Sequence, residues 1–317
     1  MWRGLSLEGG GVLAEAHIGA LTRLNLRQSL ASFGYFSGSS AGSLLACCLA
    51  SRCSIDKIKA IANTMPGKDL LDAGCCDWYG LCCLYGIFQG DVLKSWIADC
   101  VSIMCGSRTI TFKQHRERYN TYLLVTVTEL LVPYNRTIDL DYISAPDMQI
   151  AEALHKSCNL PLIYQAVKDS DGRMYVDGGL MDNLPMKQLL KLGLKPEEIV
   201  GIRLLKSNEM LAYEDWRKEQ HLVGAPQLKM GRPPKNIAET ITTIISTLRD
   251  QIARANLSGW PAVQSIWIDV GTISSTDFDL NDEEKQFLFD AGVKAADKWL
   301  ISKQDELVLK QDELEPM

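Results

Sequence analysis

Residues 33–46 restrict the fold more than any other stretch. An aromatic run, Phe33-Gly34-Tyr35-Phe36-Ser37, passes through Gly38-Ser39-Ser40-Ala41-Gly42 directly into Ser43-Leu44-Leu45-Ala46. The run reads as a strand and its sequel as the start of a helix, so a few small residues must turn the chain. A turn this tight strains its central residue and projects that side chain, and glycines two positions to either side keep strand and helix clear of it. Ser40 is therefore the candidate nucleophile, with Gly38 and Gly42 as its flanks. A bare G-x-S-x-G is also what an ordinary polar turn looks like, so the weight falls on its context.

That context starts at the first residues. Residues 2–7 read as a short strand running into Glu8-Gly9-Gly10-Gly11-Val12, and from 13 to about 30 Leu13, Ala16, Ala20, Leu21, Leu24 and Leu26 recur at roughly helical spacing. Three glycines ahead of a helix leave main-chain N–H groups unshielded at the positive end of its dipole, a cradle for an oxyanion or a phosphate. Gly9, Gly11 and Ala14 also fit a relaxed dinucleotide fingerprint. That reading wants an acidic residue closing the next strand to hold a ribose, and the strand ending at Ser37 offers serine and glycine instead. An oxyanion hole beside a nucleophile suits two successive small-residue turns better.

With 317 residues the chain can bury a substantial core, and 46% hydrophobic residues with a mean hydropathy near zero describe a globular protein. The formal charge of −6 excludes general attraction to nucleic acid or to anionic membranes, so any peripheral membrane contact must be local and apolar. No leader-like segment opens the sequence and no run of about 18 apolar residues exists to span a bilayer. Ten cysteines without an export signal imply reduced thiols and a cytoplasmic setting. The adjacent pairs Cys47-Cys48, Cys75-Cys76 and Cys82-Cys83 lack the gap of zinc knuckles and read as buried thiols, with lipid modification as the alternative.

Further along, helices are expected at 54–63, 91–104, 146–157, 185–192, 237–256 and 282–300, and strands at 121–127, 134–140, 199–205 and 265–270. Residues 66–90 mix aromatics, cysteines and glycines without a period, as a packed insertion or an apolar lid would. A hairpin around Asp169-Ser170-Asp171-Gly172 delivers Asp177-Gly178-Gly179, an aspartate at a strand end with freedom to approach another group, as a general base needs. The same triplet is equally at home in a plain turn. Residues 206–236 are polar and suit a flexible insertion, and 302–317 form a charged tail with a seven-residue repeat.

Taken together these stretches resemble the patatin-like phospholipases. Gly9-Gly10-Gly11 with Ala16-His17-Ile18-Gly19-Ala20-Leu21, Gly38-Ser39-Ser40-Ala41-Gly42 and Asp177-Gly178-Gly179 match in order and spacing; Ser157-Cys158-Asn159-Leu160-Pro161 and the stretch from Asp177 to Pro185 are lesser matches. The resemblance implies a three-layer α/β/α sandwich around a mostly parallel sheet, with residues 1–301 as one catalytic domain. It implies a lipid acyl hydrolase of phospholipase A type, acting on a phospholipid or another acyl-ester lipid without metal or cofactor. Ser40 and Asp177 would form a dyad, with an oxyanion hole from Gly9, Gly10, Gly11 and Ala41 and with Gly178 and Gly179 completing the aspartate motif. Leu13 and Ala14 stand where the family usually has a basic residue and a glycine. That departure motivates a rival, a silent lipid- or protein-binding scaffold of the same fold; an acyltransferase using the same serine is a third reading. A triad would need one of His17, His115, His155 or His221.

Overall fold

The computed structural model describes residues 1–72, 86–207 and 265–312, with residues 210 and 252 besides, and the side chains of the last helix as far as residue 303. In chain order these residues form β1 (Gly4–Leu7), α1 (Ala14–Arg27), β2 (Tyr35–Ser39), α2 (Ala41–Ala50), α3 (Ile55–Ala62), β3 (Gly86–Phe88), α4 (Asp91–Cys105), α5 (Phe112–Tyr119) and β4 (Tyr122–Glu129). There follow β5 (Arg136–Leu140), α6 (Ile150–Cys158), β6 (Leu162–Tyr164), β7 (Val167–Lys168), β8 (Met174–Asp177), α7 (Met186–Lys191), β9 (Ile199–Leu205), β10 (Ser265–Asp269) and α8 (Asp282–Asp312).

The main sheet runs in the order β10-β9-β1-β2-β4-β8-β7, with β5 also on β4. From β10 to β4 every pairing is parallel, and β5, β8 and β7 join antiparallel. A separate parallel pair joins β3 to β6. Strands β1 and β4 are buried at every position, without the alternation of a half-wet sheet, because helices cover both faces. This is the α/β sandwich with a mostly parallel centre that strands alternating with helices call for.

The large core gathers Leu5 and Leu7 of β1, Phe36 of β2 and Phe33 just ahead of it with Ile18 and Leu21 of α1, all fully buried. A smaller cluster of Leu184, Met186, Leu189, Leu194 and Ile199 packs around α7. Helices α1 and α8 lie backbone to backbone. A β-carbon on Gly19 would stand 2.0 Å from the Phe289 carbonyl oxygen, and one on Gly292 would stand 2.0 Å from that of Ala16.

Three elements differ from expectation. Helix α6 starts at Ile150, since residues 146–149 serve another purpose: the carbonyls of Pro146 and Met148 accept the N–H groups of Lys113 and Phe112 at the start of α5. Helix α5 itself has no apolar period to announce it; a reciprocal cap between Thr111 and Gln114 holds its first turn. Helix α8 continues to Asp312, past the expected boundary at 301 and into the repeat of the tail. Most of the arm expected at 206–236, the helix expected at 237–256, His221, the cysteines at 75, 76, 82 and 83 and the end of the tail lie outside the described residues. No helix among the described residues is long and apolar enough to cross a membrane.

Candidate active site

Strand β4 organises the site. On one edge it pairs with β5; on the other, Tyr122 to Thr126 pair with β2, and Val127 to Glu129 pair with β8. The opposite edge thus changes partner between two consecutive residues. Ser39 lies across from Thr126, where β2 turns into its elbow, and Asp177 lies across from Val127, where β8 ends. Two residues distant in sequence arrive one rung apart, roughly 3.3 Å along a strand.

Ser40 sits at the head of α2 with φ 52° and ψ −132°, a conformation that L-residues avoid and that the surrounding contacts must hold. It is buried, at 6% exposure. Helix α2 comes so close to the end of β1 that a β-carbon on Gly42 would meet the Leu7 carbonyl at 2.3 Å; one on Gly38 would meet the Gly42 carbonyl at 2.4 Å. The Ser43 hydroxyl donates to the Ser40 carbonyl at 2.6 Å and closes the first turn.

The C-terminal end of α6 fills the gap where β4 changes partner. The Ser157 hydroxyl donates to the Thr126 carbonyl at 2.7 Å and accepts the Ser40 N–H at 2.9 Å. Two residues on, the Asn159 carbonyl accepts the Asp177 N–H at 2.8 Å. One short segment therefore holds the main chain of both candidates. The Asp177 carboxylate accepts the Gly179 N–H at 2.7 Å through Oδ1, which sets the side chain across the turn. Gly178 passes tightly between strands, where a β-carbon would stand 2.1 Å from the Thr126 carbonyl and 2.7 Å from Ser39 Oγ.

The glycine loop after β1 is fastened from behind. Buried Glu8 accepts the Leu204 N–H at 2.6 Å and the Asn183 amide at 3.2 Å, with the Arg203 guanidinium 3.6 Å away. Asn183 also donates to the Gly9 carbonyl at 3.0 Å, and its own carbonyl accepts the Gly9 N–H at 3.1 Å. Gly9 is pressed against the elbow: a β-carbon there would lie 2.9 Å from that of Ser40. Its N–H is committed to the Asn183 carbonyl, which makes Gly9 an anchor of the loop. The N–H groups of Gly10 and Gly11, and that of Ala41 at the first position of α2, have no acceptor among the described residues. Leu13, where a basic residue was expected from the resemblance, is buried in the core at the start of α1.

No histidine among the described residues hydrogen-bonds to Ser40. His115 bonds instead to the Ser51 hydroxyl, 3.0 Å away just past the far end of α2. Burial pushes the pKa of His17, His115 and His155 down to about 4 and keeps each ring neutral. Cys47 and Cys48 are buried in α2 and Cys158 ends α6, their thiols held well above the ordinary range; a hydrogen bond donated to Cys105 leads for Cys47, one donated to Cys53 for Cys48, and burial for Cys158.

Ser157, Asn159 and Asn183 do structural work that sequence reading did not assign. All three lie inside the lesser family matches, which was the available signal.

Fold and site together present a serine on a strand-to-helix elbow packed against a glycine loop, an arrangement met in a hydrolytic class. The chain belongs to the patatin-like phospholipase family, whose sequence model matches residues 5–190. It is similar to the uncharacterized protein YqhO of Bacillus subtilis, 25% identical over 307 residues that span 92% of this chain and 96% of that protein. A part of it, 42%, is similar to the probable lipid hydrolase 463L of Invertebrate iridescent virus 6, 25% identical over 138 residues and 47% of that protein. Its fold is similar to that of VipD from Legionella pneumophila, with a TM-score of 0.62 at 15% identity over 95% of this chain and 67% of that one. Membership of the family supports lipid acyl hydrolysis as the activity.

Proposed function

We propose that the protein hydrolyses fatty-acyl esters of glycerophospholipids with Ser40 as nucleophile and Asp177 as base. The observation that carries this reading is the change of partner along β4, which sets the serine elbow and the end of the aspartate strand on neighbouring rungs. Ser40 Oγ attacks the ester carbonyl while its proton passes to the Asp177 carboxylate. The N–H groups of Gly10, Gly11 and Ala41 receive the charge that develops on the carbonyl oxygen. Collapse of the tetrahedral species breaks the bond to the lysolipid alcohol, which leaves with the proton from Asp177. Water then attacks the acyl-serine, gives a proton to Asp177, and releases the fatty acid with Ser40 restored.

The test combines a reporter with two substitutions. A long-chain fluorophosphonate should label the wild-type protein and leave Ser40→Ala unlabelled and without ester turnover. Asp177→Asn, which keeps the shape of the side chain, should lose about 10²- to 10⁴-fold in turnover. Near-normal turnover in either variant overturns the assignment, and a histidine variant as inactive as Ser40→Ala while folded would replace the dyad by a triad.

A further inference from the structure

Past Glu129 the chain makes a hairpin turn into β5 through Leu130-Leu131-Val132-Pro133-Tyr134-Asn135. Connections of this kind ordinarily carry glycine, asparagine, aspartate or serine. Here Val132 is 99% exposed, Tyr134 81% and Leu131 43%. A single exposed apolar side chain is ordinary on any surface; a projecting tip made of them in succession is not. Strands β1, β2 and β4 are parallel, and the glycine loop and the serine elbow leave from the ends of β1 and β2 that point the same way as the end of β4. The tip therefore projects from the edge of the sheet at which Ser40 sits.

The root of the tip is electrically closed. Arg136 pairs with Glu129 at 2.5 Å, Arg173 with Asp171 at 2.9 Å, and Lys156 with Asp169 at 2.6 Å. Each of these cations faces a carboxylate, so they form no basic patch to draw a −6 chain to an anionic surface. An apolar end tipped by a tyrosine, above matched charges, suits the uncharged face of a bilayer, where amphipathic rings settle at the headgroup level.

We infer that the β4–β5 hairpin tip, through Leu131, Val132 and Tyr134, seats the protein on zwitterionic phospholipid surfaces with the serine elbow turned toward the lipid. The choice of a lipid surface as occupant rests on the proposed hydrolysis of phospholipids, whose acyl esters reside in such surfaces.

Flotation with phosphatidylcholine vesicles tests this on the full chain. Wild-type protein should float, to nearly the same extent in low and high salt. The double variant Val132→Ser, Tyr134→Ser should partition about tenfold less or weaker still, while its thermal midpoint and its turnover of a water-soluble short-chain ester stay unchanged. Ser40→Ala should float like wild type, so binding is read even if the nucleophile is misassigned. The inference is overturned if the double variant floats as wild type does, or if wild type stays soluble at every vesicle concentration. It also fails if binding needs anionic lipid and vanishes in salt, or if soluble-ester turnover falls in step with flotation.

Discussion

Ser157 makes two hydrogen bonds that no other group replaces: one caps a carbonyl left over where β2 leaves β4, the other holds the strained main chain of Ser40. Ser157→Ala leaves a buried donor and a buried acceptor unpaired, each at a cost of about 1–3 kcal/mol. Part of that cost falls on the geometry of the elbow. Turnover should drop roughly tenfold with KM little changed, and fluorophosphonate labelling should slow in proportion; equal labelling rates would reduce Ser157 to a filler. Ser40 and Asp177 were legible because each lies in a run of small residues that says something about the local main chain. Ser157 and Asn183 were not, because a serine or an asparagine acquires such a role only from what the folded chain brings opposite it. Gly9 was legible as a member of the loop but not as its anchor, since its N–H is claimed by a carbonyl 174 positions away.

Among elements, the contact of α1 with α8 carries the plainest prediction. Gly19 and Gly292 let the two backbones touch, and an added methyl at either must push main chain rather than a flexible side chain. Gly19→Ala should destabilise the protein by about 1–3 kcal/mol, the cost of overpacking, despite the better helix propensity of alanine. The midpoint of thermal unfolding should fall by several degrees, roughly 2–4 °C per kcal/mol for a chain of this size class. An unchanged midpoint would mean that the helices separate at no cost. The glycine in the Ala16-His17-Ile18-Gly19 match thus has a packing reason that spacing alone could not supply, because its partner comes from the other end of the chain. Strands and apolar helices were legible from their periods; α5 was hidden by the polar sequence Phe112-Lys113-Gln114-His115-Arg116, and α6 was displaced because Pro146 serves the main chain of a neighbour instead of opening a helix.

At the scale of the molecule, three buried neutral histidines govern the response to acid. His17, His115 and His155 have folded pKa values near 4 against an ordinary value of 6.5, chiefly through burial. Below pH 6.5 the unfolded chain binds protons that the folded one refuses, so stability is full above that pH and declines as pH falls toward 4, by roughly 3 kcal/mol per histidine. Asp182 works the other way: burial, then the neighbouring Asp139, lifts its carboxyl to about 6, so its contribution is lost as pH rises from about 4 to 6. Burial also raises the carboxyls of Glu15 and Asp139, by less than that of Asp182; the three large histidine shifts outweigh these carboxyls, and denaturant midpoints should fall steadily from pH 7 to 4.5. A flat profile would mean that these rings are hydrated in the native state. The parallel centre of the sheet was legible from alternating elements, whereas the change of partner on β4 was not, since the antiparallel arrival of β8 depends on which edge β2 leaves vacant. That handover also orders events in time. β2 can pair with β1 alone, but only β4 brings both arms to neighbouring rungs, and the arms close a long loop of chain when they meet, a slow class of contact in folding. On refolding from denaturant, helical signal should return first, and the capacity to react with a fluorophosphonate should follow after a measurable lag.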